Sequence, residues 1–193
     1  MGDGVIVGAD GLARCPWGAE PAVYRAYHDA EWGRPLRGDD ELFERISLEA
    51  FQSGLSWLTI LKRREAFRAA FDGFRIDAVA AYTEADAERL LGDSGIIRNR
   101  AKIAATIANA KAARELEGGL TELIWSFAPA AHERPKTAAD VPAATPESTA
   151  LAKALKQRGF RFVGPTTAYA MMQATGIVDD HLADCHLGAG GGE

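Results

Sequence analysis

Apolar residues recur along this chain every three to four positions, and runs that alternate apolar with polar are almost absent. Leu42, Phe43, Ile46 and Ala50 mark one helical stripe, which Asp39 or Asp40 can cap. Gly54 interrupts it, and Ser56 can cap a second helix carrying Leu58, Leu61, Phe67 and Phe71. Thr83 to Asp86 resembles a capping box and opens a helix through Leu91. Gly92 to Gly95 makes a turn, a long helix is predicted over 96–116, and a shorter one over 120–127. Residues 129–146, rich in Pro, Ala and Thr, form the one long loop. Thr145-Pro146 then supplies an N-cap and N1 for a helix to Arg158, with Gly159 as its stop. Gly164-Pro165 opens another over 166–175, and Asp179 can cap a last short helix. Near the start, Pro21 and Gly33 bracket a helix on which Tyr24, Tyr27, His28 and Glu31 share one face. The pattern predicts an all-α chain.

Length and composition add bounds. With 193 residues, 47% of them hydrophobic, the chain can build one globular domain or two small lobes. No stretch approaches the 18 or so uncharged apolar residues of a membrane span, and the start lacks a basic segment before an apolar run. A bacterial cytoplasmic protein is the default expectation. Residues 1–14 are expected to be a flexible extension, 15–187 a single domain, and the glycine-rich 188–193 a disordered tail.

The net charge of -5 counts against nucleic acid only if it is spread evenly. It is not. Residues 96–114 contain Arg98, Arg100, Lys102, Lys111 and Arg114 without an acid, and 148–178 contain Lys153, Lys156, Arg158 and Arg161 without one. Such basic faces can hold phosphates, and two solvated helix faces explain them equally well.

Four groups of residues carry candidate chemistry. The two cysteines lie at opposite ends, Cys15 thirteen positions before His28, and Cys185 four after His181. Together they could form a closed tetrahedral zinc site; spacing alone leaves coincidence open, and His186 competes as a ligand. Glu49 falls on the stripe of Leu42 and Ile46, where an acid is costly unless it faces a pocket or a salt bridge. Trp57 offers a broad π face eight residues later. In GFRFVGPTT a glycine-bearing hairpin joins two helices, a shape whose N–H groups can hold a DNA phosphate, with Lys156, Arg158 and Arg161 beside it. Finally, five of the eight Trp and Tyr residues (Trp17, Tyr24, Tyr27, Trp32 and Trp57) lie between positions 17 and 57. They suit a core, or a pocket for a flipped base.

CPWG, YRAYHDAEWG, LEAFQSGLSW, GIIRNRAKI, KALKQRGFRFVGPTTAYAMMQATG and VDDHLADC together resemble the 3-methyladenine DNA glycosylase I family in order and spacing, from Cys15 to Cys185. The resemblance implies a helix-hairpin-helix DNA glycosylase fold of two helical lobes, with the hairpin at about 159–165. It implies a structural zinc ion (Zn2+), held by Cys15, His28, His181 and Cys185 as a clip joining the N- and C-terminal segments. Glu49 matches the pocket carboxylate of base recognition and catalysis. Tyr24, Tyr27 and Trp57 match the pocket aromatics, with Trp17 and Trp32 nearby. Leu55 is similar to the residue that fills the gap left by the extruded nucleotide. Arg98, Arg100, Lys102, Lys156, Arg158, Arg161 and Gly164 are expected on the DNA backbone. The implied activity is monofunctional hydrolysis of 3-methyladenine, and of 3-methylguanine, from alkylated double-stranded DNA in base excision repair, by a monomer.

Two departures matter. The family usually has Asn where Asp179 stands, so Asp179 is either a helix cap or a second carboxylate at the sugar. Pro165-Thr166-Thr167 occupies the place of the nucleophilic lysine of lyase-active relatives, which argues against lyase activity. A zinc-clipped DNA-binding module without catalysis would leave Glu49 unexplained, and a free-nucleoside hydrolase would not need the basic faces.

Overall fold

The computed structural model describes residues 4–187. Among these the chain forms ten α-helices and one two-stranded sheet, divided between two compact units.

Of the described residues, the first unit takes 4–35, 129–143 and 172–187. It opens with an antiparallel pair, β1 (Ile6–Val7) and β2 (Ala13–Arg14), followed by α1 (Pro16–Ala19) and α2 (Ala22–Ala30). The sequence predicts no strand here and a flexible extension. The pairing depends instead on distant partners: Arg14 is buried and bonds both Asp10 and Asp29. Helix α2 matches the stretch between Pro21 and Gly33. The last helix expected after Asp179 does not form, and residues 179–187 run as turns. The Asp179 carboxylate accepts from the His181 N–H at 3.2 Å, and Cys185 N–H donates to the Leu182 carbonyl at 2.8 Å. Local bonds of this kind compete with a helix too short to repay its nucleation. Asp179 is therefore not a helix cap. The predicted disordered tail lies outside the described residues.

The second unit takes residues 36–128 and 144–171. It contains α3 (Asp39–Gln52), α4 (Trp57–Ala70), α5 (Ile76–Ala80), α6 (Glu84–Gly92), α7 (Arg100–Arg114), α8 (Gly119–Trp125), α9 (Pro146–Gln157) and most of α10 (Pro165–Ala174). Helix α3 is enclosed by α4, α7 and α8 and by the turn at 72–74. Leu42, Phe43, Ile46, Leu48 and Phe51 are consequently buried on more than one face. A stripe read from the sequence understates this, because a helix surrounded by others is buried around most of its circumference. The Phe51 and Phe67 rings meet at 4.8 Å, and Phe71 stacks on Phe74 at 5.2 Å. Helix α7 starts at Arg100 instead of the expected 96, because the Asn99 side chain caps it by accepting from the Lys102 N–H at 3.1 Å.

Candidate active site and metal centre

The acid predicted on the apolar stripe is buried in the second unit. Glu49, in the last turn of α3, is 7% exposed. Burial pushes its carboxyl up to about 8, opposed by the charge of Arg45 one helical turn earlier. At neutral pH the free protein therefore carries Glu49 largely as the neutral acid. A buried acid with so raised a carboxyl is a candidate for binding or catalysis.

The chain leaves α3 at Ser53 and turns through Gly54, whose φ of +81° a side chain would strain. Leu55 follows, 40% exposed, although nothing polar obliges the corner to present a leucine there. Ser56 then caps α4 by accepting from the Thr59 N–H at 3.3 Å, which sets Trp57 as the first helical residue, half-buried.

Helix α9 ends at Gln157, and residues 158–164 reverse the chain into α10. Gly159 has a φ of +93°, and Phe160 N–H returns to the Leu155 carbonyl at 3.1 Å. At the tip Phe162 takes a φ of +57° and is 45% exposed, a strained setting for an aromatic residue. Gly164 is exposed at the entrance to α10, and the first turn of α10 holds no acid.

The basic residues expected on the DNA backbone divide. Arg98, Lys156, Arg158 and Arg161 are exposed. Arg100 is exposed but ion-paired to Glu88 at 2.7 Å and to Glu84 at 3.3 Å. Lys102 is buried, its ammonium turned inward onto backbone carbonyls.

In the first unit, the donor atoms of Cys15, His28 and Cys185 lie within 4.8 Å of one another, all buried. His28 Nε2 is 3.6 Å from Cys185 Sγ, and its Nδ1 meets the Asp29 carboxylate at 2.8 Å. His181 stands beside this trio, its ring 5.0 Å from that of His28, with Nδ1 on the Asp179 carboxylate at 2.7 Å. Its buried Nε2 has no hydrogen-bond partner among the described residues. A carboxylate that holds the proton on Nδ1 leaves the Nε2 lone pair for a metal, so both imidazoles are arranged as ligands usually are. Two buried thiols complete a set that suits zinc. The thiols share one hydrogen bond that divides them: Cys15 is held above the ordinary thiol range, and Cys185, which also faces His28, below it. Burial works against charge on His28, but its bonds to Cys185 and Asp29 outweigh that and raise it. The ring space is tight, since a Cβ on Gly18 would stand 2.4 Å from His28 and one on Gly33 2.5 Å from His181. His186 is engaged elsewhere, its Nδ1 on the Ala13 carbonyl at 2.8 Å.

Trp17 packs edge-on against His28 at 5.3 Å, Trp32 at 4.9 Å and Tyr24 at 5.9 Å, and Trp32 against His181 at 4.7 Å. Tyr27 is buried and lies 6.3 Å from Trp17. The aromatic cluster is thus continuous with the cysteine and histidine set. Sequence reasoning missed the residues that orient the imidazoles. Asp29 is held by Arg14, and Asp179 by Arg134, which also donates to the Leu187 carbonyl. An acid within two positions of each histidine was the available signal.

The family model described as methyladenine glycosylase matches residues 17–188. The "DNA-3-methyladenine glycosylase" of Haemophilus influenzae is 47% identical over 178 residues, covering 89% of this chain and 96% of the relative. "DNA-3-methyladenine glycosylase 1" of Escherichia coli is 46% identical over 182 residues, covering 90% and 96%. A crystal structure of a 3-methyladenine DNA glycosylase I superposes with a TM-score of 0.87 at 46% identity, over 91% of this chain and 99% of that one. A Staphylococcus aureus 3-methyladenine DNA glycosylase I, solved for the structural basis of 3-methyladenine recognition, gives 0.85 at 36% identity, over 90% and 95%.

Proposed function

The chain belongs to the methyladenine glycosylase family, and on that footing we propose that it hydrolyses the N-glycosidic bond of 3-methyladenine, and of 3-methylguanine, in alkylated double-stranded DNA. The observation that carries this reading is Glu49, a carboxyl on α3 that is buried at a cost the charge of Arg45 offsets only in part.

A base methylated at N3 is cationic in DNA, its bond to deoxyribose is already labile, and it departs as a neutral molecule. The enzyme then needs little general-acid help, and extrusion, fit and electrostatics supply the acceleration. Glu49 hydrogen-bonds the extruded base. The arriving positive charge favours the carboxylate over the neutral acid, so Glu49 releases its proton to solvent as the lesion enters. That charge match selects the cationic lesion over neutral adenine. Trp57 stacks on the base, and Tyr24, Tyr27, Trp17 and Trp32 keep the pocket role that the family motif implies. Leu55 enters the gap in the duplex. Water then attacks the oxocarbenium-like sugar. With Pro165, Thr166 and Thr167 at the place of the lyase lysine, no Schiff base forms on the hairpin and the product is an abasic site.

Exposed Arg98, Lys156, Arg158 and Arg161, with the hairpin N–H groups around Gly164, grip phosphates without reading sequence. The hairpin and its flanking helices support membership of the helix-hairpin-helix superfamily. Cys15, His28, His181 and Cys185 would hold a zinc ion, which supplies a cross-link between chain segments and no catalytic chemistry. The test is release of free methylated base from alkylated duplex DNA, by wild type and by Glu49→Gln.

A further inference from the structure

The corner between α3 and α4 carries Leu55 and follows Glu49 in the chain, and its own bonds do not serve all of its carbonyls. The last turn of a helix leaves carbonyls without an intrahelical donor. Leu55 N–H returns to the Gln52 carbonyl at 2.6 Å, which serves one of them. The carbonyls of Phe51 and Ser53 are both served from outside, by Lys102 Nζ at 2.8 and 2.6 Å.

Lys102 is 8% exposed and rises from the first turn of α7, where Asn99 caps the helix through the Lys102 N–H. Its backbone is thus fixed before its side chain reaches the corner. An ammonium is a compact donor of three hydrogen bonds, and its charge at the C-terminal end of α3 complements the partial negative charge of the helix. Phe51 lies inside the helix and Ser53 beyond its end. One donor gripping both sides of that boundary sets the direction in which the chain departs. A phosphate contact would require Lys102 to abandon both carbonyls.

We propose that Lys102 is a positioning residue, whose hold on the Phe51 and Ser53 carbonyls fixes the corner that presents Leu55 to the duplex and keeps Glu49 in register. This rests on the glycosylase reading given above. Exposed Arg98, Arg158 and Arg161 serve the phosphates, and Lys102 acts through the corner alone.

The test compares wild type with Lys102→Met, Lys102→Gln and Lys102→Arg in single-turnover release of 3-methyladenine from duplex DNA, at several enzyme and salt concentrations. Amide exchange over residues 50–57 is followed in the same proteins without DNA. Lys102→Met is expected to lose about 10- to 100-fold in the saturating rate, because a small misplacement of a reacting or wedging group is enough for that. Half-saturation stays within about twofold and the salt slope is unchanged, because no phosphate contact is lost. Exchange over 50–57 rises about tenfold or more while the rest of the unit keeps its protection. Lys102→Arg, which can still donate to both carbonyls, recovers part of the rate.

A saturating rate equal to wild type, with a salt slope smaller by about 1, would make Lys102 a phosphate contact and overturn the proposal. Unchanged exchange over 50–57 overturns it as well. If Lys102→Met does not fold, Lys102→Gln, which keeps one donor, is judged by the same criteria. If wild type releases no base, it is the glycosylase reading that fails, and the exchange measurement alone decides whether Lys102 holds the corner.

Discussion

Asn109 pairs its side-chain amide with both backbone groups of Arg161, accepting from the N–H at 2.7 Å and donating to the carbonyl at 3.0 Å. Asn109 is 1% exposed in α7, so an interior helix holds the tip of the hairpin as a neighbouring strand would. Hairpin and helix thereby form one rigid piece, and the exposed Arg161 and Phe162 are carried on it.

Asn109→Ala removes both bonds and leaves the part-buried Arg161 N–H and carbonyl without that partner. The expected loss is about 1–3 kcal/mol of stability. Binding to undamaged duplex DNA should weaken uniformly across sequences, by about tenfold, because the hairpin N–H groups lose their fixed aim. Denaturant unfolding and fluorescence anisotropy read the two effects, and an unchanged DNA affinity would free the hairpin from this role.

Glu49 should make the protein less stable at high pH. Its native carboxyl, at about 8, lies above the unfolded value of 4.5, so the native state holds the proton more tightly. The stability gained from the neutral acid is complete below the unfolded value and is lost as pH rises through the folded one. Between those limits wild type should lose about 1.4 kcal/mol per pH unit relative to Glu49→Gln. The Tm advantage of Glu49→Gln should therefore be near zero at acid pH and reach about 10 °C or more at pH near 8. An advantage constant over that range contradicts the burial account.

Asp179 is committed to Arg134 and His181. Burial raises its carboxyl, but those two partners outweigh the burial and lower it. Asp179→Asn keeps an oxygen for His181 and loses the ion pair, so Tm should fall while base release per folded molecule stays within about threefold. A loss of about a hundredfold or more at unchanged Tm would instead make Asp179 the second carboxylate at the sugar.

The proposed zinc site at Cys15, His28, His181 and Cys185 implies one zinc per chain in protein purified without chelator. Cys185→Ser should lower the metal content severely and Tm by about 10 °C or more. A metal-free variant with wild-type Tm and activity would refute a stabilising clip. Elemental analysis and calorimetry on the same samples decide it.

Much of this was legible in the chain because helices announce themselves locally. Ser56, Thr83 and Thr145 cap where the spacing puts them, and Gly159 stops α9 where a stop is due. Most of the misses are cases in which a distant residue takes part, the Asn99 cap that delays α7 being local. The strands at 6–7 and 13–14 depend on Arg14 reaching Asp29 from another element. The segment after Asp179 gives up a helix for side-chain bonds to Arg134 and His181. Lys102 counts as one more basic residue in a run of five, and nothing local tells that its ammonium turns inward. Glu49 was visible as an acid out of place on an apolar stripe. Its full enclosure follows only from the helices around α3.

If Glu49 makes this chain a base-excising enzyme, base release from alkylated duplex must depend on its carboxyl. Duplex DNA treated with a methylating agent is incubated with wild type and Glu49→Gln, and free 3-methyladenine is quantified by chromatography. Wild type should release it without strand cleavage. Glu49→Gln, folded and still binding duplex, should release it about 10²-fold or more slowly. No release by wild type, or equal release by Glu49→Gln, contradicts the account.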